Sequence, residues 1–217
     1  MNPGYISYWL LTIMAILLFT GWWKWLADDV RPRHIAILAA GCILLSNIVV
    51  PFDFLNENLG GISLTVCWLG VWSIAILALR PVEGSLQRFY LFFAALLAGI
   101  MGGWLRMLYT NDPVLIVMDA TADAAILIGL TASLSALSRA SLLFGVVTLA
   151  SIAEPMLVGS LLPASSVKPI TIGSLAWWDS YLLAWFTARI VVLIARGTKA
   201  VTAKWFTRAA GEGEGGV

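Results

Sequence analysis

Residues 113–135 read PVLIVMDATADAAILIGLTASLS, an apolar stretch that carries two carboxylates, Asp119 and Asp123. A hydrocarbon core about 30 Å thick takes about 20 mostly apolar residues in a helix, and this stretch is long enough. Ionisable groups at bilayer depth cost roughly 2.5–3.5 kcal/mol each on insertion scales, so they face protein or water and often mark function. Asn111 and Asp112 supply N-cap chemistry just upstream. Pro113 suits a first helical turn, where its missing N–H has no intrahelical partner to lose. A helix rising about 1.5 Å per residue from there sets Asp119 about 9 Å and Asp123 about 15 Å along its axis. Their i,i+4 spacing places both on one face, and the small residues Ala120, Ala124 and Gly129 leave room for close packing around it.

The rest of the chain repeats the apolar pattern. With 60% hydrophobic and 12% charged residues and a mean hydropathy of +0.91, it departs from soluble globules, in which about 25% of residues are charged. Reading at spanning length gives seven segments, near 6–26, 34–51, 61–79, 89–109, 113–135, 140–162 and 174–195. The expected fold is an all-α polytopic membrane bundle over 1–195, followed by a basic tail over 196–217 whose Gly- and Glu-rich end, Gly211 to Val217, is expected to lack order. Loops are marked by Asp28, Asp29, Arg31, Pro32 and Arg33, by Asp53, Asn56, Glu57, Asn58, Gly60 and Gly61, and by Arg80, Pro81, Glu83, Gly84 and Arg88. The join between the fifth and sixth segments rests mainly on Ser138 and Arg139, and without it the count is six.

Basic residues set the orientation, because cytoplasmic loops hold the excess of Lys and Arg. Lys24, Arg31, Arg33, Arg80, Arg88, Arg139, Arg189, Arg196, Lys199, Lys204 and Arg208 fall toward one side, and only Arg106 and Lys168 toward the other. The amino terminus is therefore expected outside and the carboxyl terminus in the cytoplasm. The first segment lacks a basic n-region and a small-residue cleavage site, so it is expected to remain as a membrane helix. Trp9, Trp22, Trp23, Trp25, Trp104, Trp177 and Trp178 fall near segment ends, as interfacial aromatic belts do. Past Ala195 the chain turns basic around Trp205 and Phe206, which reads as a stop-transfer anchor or a helix lying on the anionic inner leaflet.

The same depth arithmetic brings Glu154, Asp179 and Arg106 into the outer half with Asp119 and Asp123, as one candidate polar cluster. Pro155 is expected to break the sixth helix beside Glu154. Arg189 lies deeper, where it snorkels inward or pairs with Asp123. Carboxylates crowded in a low-dielectric site cannot all stay ionised, which is the chemistry of a proton or cation relay. The competing reading is a hydrogen-bond and ion-pair network, with Arg106 as partner, that fixes helix packing.

Other chemistry finds no support. His34 is the only histidine, so a zinc site of protease type is not expected. Ser46, Ser63 and Thr65 have no His or Lys at catalytic spacing and are expected to bond their own helices. Cys42 and Cys67 lie in apolar segments and read as small buried hydrophobes. Ala95, Gly99 and Gly103 form a small-residue packing face.

Asn111, Asp112, Pro113 and Val114 with Asp119 downstream, and Ile172 through Asp179 (IGSLAWWD), resemble corresponding stretches of the YphA family of small membrane proteins from spore-forming Gram-positive bacteria. Size and hydrophobic layout are similar over most of the chain. The resemblance implies a protein of the bacterial cytoplasmic membrane and transfers no activity, cofactor or catalytic residue. The expected function is therefore a non-enzymatic structural or assembly component. Its partners are the lipid bilayer and another membrane protein or a second copy, with no cofactor, metal or nucleic acid. The alternative is a proton or small-cation transporter or channel using the acidic residues.

Overall fold

The computed structural model describes residues 2–51, 59–80, 84–135, 139–161 and 170–213, with side chains for all of these except 23, 59 and 204–213. Asp53, Asn56, Glu57, Asn58, Pro81, Glu83, Ser138, Lys168 and residues 214–217 lie outside the described residues, as do the side chains of Trp23, Lys204, Trp205, Phe206 and Arg208.

Each apolar segment contains a helix. In chain order these are α1 (Tyr5–Phe19), the one-turn α2 (Trp23–Leu26), α3 (Pro32–Leu45), α4 (Leu64–Leu79), α5 (Ser85–Asn111), α6 (Ala120–Ser135), α7 (Ala140–Leu161) and α8 (Leu175–Gly213). Among the described residues three helical stretches are long and apolar enough to cross a membrane: Ser85–Asn111, Ala140–Leu161 and Leu175–Ala203. The shorter apolar helices α1, α3, α4 and α6 have 15, 14, 16 and 16 residues. At about 1.5 Å per residue they reach only about 21–24 Å.

Local chemistry explains several boundaries. Pro32 opens α3 in its first turn, where a missing N–H is harmless. Ser63 caps α4, its hydroxyl accepting the Thr65 N–H at 3.3 Å. One expectation fails. Pro113 starts only a 3-10 turn, Pro113–Leu115, and the α-helix begins at Ala120. At the other terminus α8 continues past Ala195 to Gly213.

The sequence held no sign of the small sheet at one end of the bundle. Strands β1 (Val49–Val50), β2 (Leu59–Ser63) and β3 (Ile170–Ile172) lie in that order. β1 is antiparallel to β2, with Val49 opposite Ser63, and β2 is parallel to β3, with Ile62 opposite Ile172. A parallel pair joins segments distant in sequence, so no local turn signal announces it. Gly173, just past β3, has φ 95°, and a Cβ there would meet that of Ser63 at 2.5 Å.

The central helix is α7, which packs on α4, α5, α6 and α8; α6 is also held between α5 and α8, while α1 leans on α8 and α3 on α4. Leu77, Leu143, Val146, Val147, Ile128 and Val192 form the buried centre. Ala95, Ala98, Gly99, Gly102 and Gly103 of α5 are buried, and a Cβ on Gly99 would lie 2.9 Å from the Ala150 carbonyl oxygen of α7. The small-residue face thus brings the two backbones together. The other side of α5 exposes Phe89, Phe93, Leu96, Ile100 and Trp104, as a lipid-facing helix does.

Candidate functional site

Most of the described acidic side chains sit where backbone N–H groups have lost their helical partners. The first four N–H groups of a helix have no intrahelical acceptor, and a carboxylate there also meets the positive end of the helix dipole. Helix α1 starts at Gly4, in the left-handed region (φ 93°), with no side-chain cap of its own. Asp179 of α8 supplies one from across the bundle, accepting the N–H of Gly4 and of Ser7, both at 2.6 Å. Asp119 does the same locally for α6. Its Oδ1 accepts the Thr121 N–H at 2.9 Å and its carbonyl accepts the Asp123 N–H at 2.9 Å. Asp119 therefore precedes the helix instead of sharing a helical face with Asp123, which corrects the i,i+4 reading.

Asp123 turns back on the chain that leads into α6. Its Oδ2 accepts the Val117 N–H at 2.9 Å, the Met118 N–H at 3.3 Å and the Tyr109 hydroxyl at 3.1 Å. Tyr109 is buried on α5, and it ties that helix to the start of α6.

Glu154 of α7, 3% exposed, pairs with Arg106 of α5 at 2.7 Å. Pro155 does not break α7, which stays continuous through it. The reason is a neighbour. Proline has no N–H to give the carbonyl four residues back, which is that of Ser151, and the indole N–H of Trp177 donates to this oxygen at 2.9 Å instead. Trp177 is accordingly buried, not part of an interfacial belt, whereas Trp9, Trp22, Trp25 and Trp104 are exposed.

The five residues grouped from the sequence thus fall into separate contacts: the Arg106–Glu154 pair, Asp123 with Tyr109, and Asp179 with the start of α1. Asp119 and Asp179 also line one cleft of about 80 Å³, with Thr121, Ser180 and Pro3 at its wall.

A second polar centre closes the opposite end. Asp28 and Asp29, between α2 and α3, cap α7 from outside. Asp28 accepts the Ala140 N–H at 3.3 Å; Asp29 accepts the Ser141 N–H at 3.0 Å and the Ser141 hydroxyl. Three cations converge on them. Arg80 reaches Asp29 at 3.7 Å, Arg189 reaches Asp28 at 3.6 Å, and Arg196 hydrogen-bonds Asp28. Arg189 is 3% exposed, and its Nε–H donates to the Trp25 carbonyl at 2.7 Å. It pairs with Asp28 and not with Asp123. Burial is the largest influence on the Asp28 carboxyl and pushes its pKa up, but the Arg196 hydrogen bond, the charges of Arg189 and Arg196 and the Ala140 amide outweigh it and hold the pKa below the ordinary carboxylate value.

Comparison with protein-family models, with curated proteins and with solved structures returned no match. The chemistry of the site therefore rests on its geometry.

Among the described residues no group of three or more His, Cys, Asp or Glu is arranged to hold a metal ion. His34 stands edge-on to Trp72, ring centroids 6.4 Å apart. The Ser46 hydroxyl bonds its own helix at Ile43, but the Thr65 hydroxyl crosses to the Cys42 carbonyl at 3.4 Å. Sequence reasoning missed Asp28 and Asp29, which read as loop punctuation, and Tyr109. The adjacent acids became a usable signal only once the start of α7, 112 positions away in sequence, was known to lie beside them.

Proposed function

We propose that this chain is a protein of the bacterial cytoplasmic membrane with seven spanning segments, amino terminus outside and carboxyl terminus in the cytoplasm, that works without catalysis as a structural or assembly component. One observation carries the reading: Asp119, Asp123, Glu154 and Asp179 are each held by donors of the chain itself. Groups engaged in capping helices and pairing across them serve the fold first. The resemblance to the YphA family belongs to the same proposal.

The sidedness of the contacts supports the topology. Asp28, Asp29, Arg80, Ala140, Ser141, Arg189 and Arg196, which the basic-residue count assigns to the cytoplasmic side, meet at one end. The Gly4–Asp179 and Tyr109–Asp123 contacts, separate from one another, fall on the side that the count assigns to the outside. The extended β1 and β2 prolong the short α3 and α4 toward that side, where irregular backbone is tolerated if protein satisfies it.

A second reading, a proton or small-cation pathway, is favoured by the cleft that Asp119 and Asp179 share. Proton flux into liposomes under an imposed potential separates the two. The structural reading expects no flux above empty liposomes from the wild type, Asp119→Asn or Asp123→Asn; wild-type flux that vanishes in either variant reverses the choice. An assembly role further expects crosslinking within native membranes to trap a stable complex, and recovery of lone monomers throughout counts against it.

A further inference from the structure

We infer that the chain between α5 and α6, Asp112 to Met118, is seated among the acyl chains at the edge of the adjacent leaflet, and that Asp123 makes this possible by taking the two loop N–H groups that find no backbone acceptor. The inference rests on the membrane reading above and extends it to a segment that is not a helix. Its apolar side chains point away from the protein: Val114 is 90% exposed, Val117 84% and Met118 74%. Isolated apolar side chains at a protein surface need no explanation, but a contiguous run of this exposure marks a contact surface. What separates lipid from water is the backbone. In lipid each unpaired N–H or C=O costs several kcal/mol; the N–H groups of this loop are taken from within, and the carbonyls of Val114 to Met118, which accept no bond from the described residues, are left to water and headgroup donors at the leaflet edge.

The accounting for the N–H groups from Asp112 to Met118 is complete. Asp112 donates to the Leu108 carbonyl, Pro113 has no N–H, Val114 donates to the Asp112 carboxylate, Leu115 to the Asp112 carbonyl and Ile116 to the Pro113 carbonyl. Val117 and Met118, past the 3-10 turn, have no backbone acceptor, and Asp123 Oδ2 takes both. The apolar surface also continues along α5, where Ile100, Trp104 and Leu108 are exposed just before the loop. Trp104 has the depth and amphipathic ring of an interfacial anchor.

The test places a nitroxide at Val117→Cys, and in a second sample at Phe93→Cys on the exposed side of α5, both in a Cys42→Ser, Cys67→Ser background. The protein is reconstituted in phosphatidylethanolamine and phosphatidylglycerol vesicles, and collision with oxygen is compared with collision with a nickel chelate. Oxygen-dominated relaxation at both positions is the expected result. Oxygen at 93 with nickel at 117 puts the loop in water and overturns the inference while leaving the membrane reading intact; nickel at 93 removes the membrane reading itself. Protection of 117 from both agents means that a protein surface covers the loop, which also overturns it. In the Val117→Cys sample, Asp123→Ala is expected to raise nickel collision several-fold, whereas Asp123→Asn, whose amide oxygen still accepts, keeps the oxygen pattern. An unchanged ratio in Asp123→Ala would remove Asp123 from the account.

Discussion

The Arg106–Glu154 pair offers the sharpest test of a structural acidic network, because its two members are unequally buried. The Glu154 side chain is 3% exposed and Arg106 28% exposed. Removing Arg106 strands a carboxylate with no route to water, which costs about 3–5 kcal/mol for a buried pair. Removing Glu154 instead leaves a long side chain on the last turns of α5 that can carry its charge outward to the headgroups, so that loss should be about 1 kcal/mol. Replacing both by leucine removes the desolvation of two charges along with their attraction, and such exchanges are commonly neutral or better. The expected series is therefore Arg106→Leu far below wild type, Glu154→Leu slightly below it, and the double variant near wild type. A loss of 3–5 kcal/mol is about two to four powers of ten in the folding equilibrium, well within reach of a denaturing-detergent titration followed by circular dichroism. The coupling in this double-mutant cycle should exceed about 1 kcal/mol. Glu154→Leu proving the costlier single change, or additive losses in the double variant, would refute the reasoning and reopen a role for Glu154 beyond the pair.

Three further outcomes follow from other contacts, each read in the same titration. A Cβ at Gly129 would lie 2.5 Å from the Ala184 carbonyl oxygen and 3.1 Å from the Ala188 nitrogen, whereas one at Gly70 meets only the tip of Ile152 at 3.4 Å. Gly129→Ala should thus lose about 1–3 kcal/mol by prying α6 from α8, more than the helix-propensity gain of about 1 kcal/mol, while Gly70→Ala keeps that gain; equal midpoints for the two variants would contradict this. Trp177→Phe should cost about 1–3 kcal/mol by leaving the Ser151 carbonyl unpaired, and the cost should shrink in a Pro155→Ala background, whose restored N–H can take that carbonyl; an equal cost in both backgrounds would dismiss the exchange. Asp28 has a lowered folded-state pKa, so its stabilisation is present above the unfolded value of about 3.9 and is lost as pH falls through the folded value. The gap between wild type and Asp28→Asn should therefore be constant from about pH 8 to 5 and begin to shrink as pH falls below about 4; a gap that does not shrink at all on acidification would show that the Asp28 charge is not what matters.

The apolar segments were legible because helix formation in an apolar chain is a local matter. Runs of about 20 apolar residues and the polar and Pro/Gly punctuation between them are read within a few positions of one another, and all seven segments contain a helix. The small-residue face of α5 was legible for the same reason, since Ala95, Gly99 and Gly103 recur at helical spacing. The start of α6 was not. Asn111, Asp112 and Pro113 are good helix openers, yet they open only a 3-10 turn, because Asp123 and Tyr109 hold the next residues in an irregular loop.

The residue types that matter were set by the sequence alone: a few carboxylates and arginines in an apolar chain must find partners, since bare charge is costly there. Which partner each one found was decided only by the tertiary structure. Asp179 caps a helix 175 positions away and Arg189 meets Asp28 across the whole chain, because pairing energy depends on distance in space and is blind to distance along the backbone. The sheet has the same origin, its β2 and β3 brought together by the ends of α4 and α7. A carboxylate's need for donors is written in its chemistry; the donors themselves are supplied by packing.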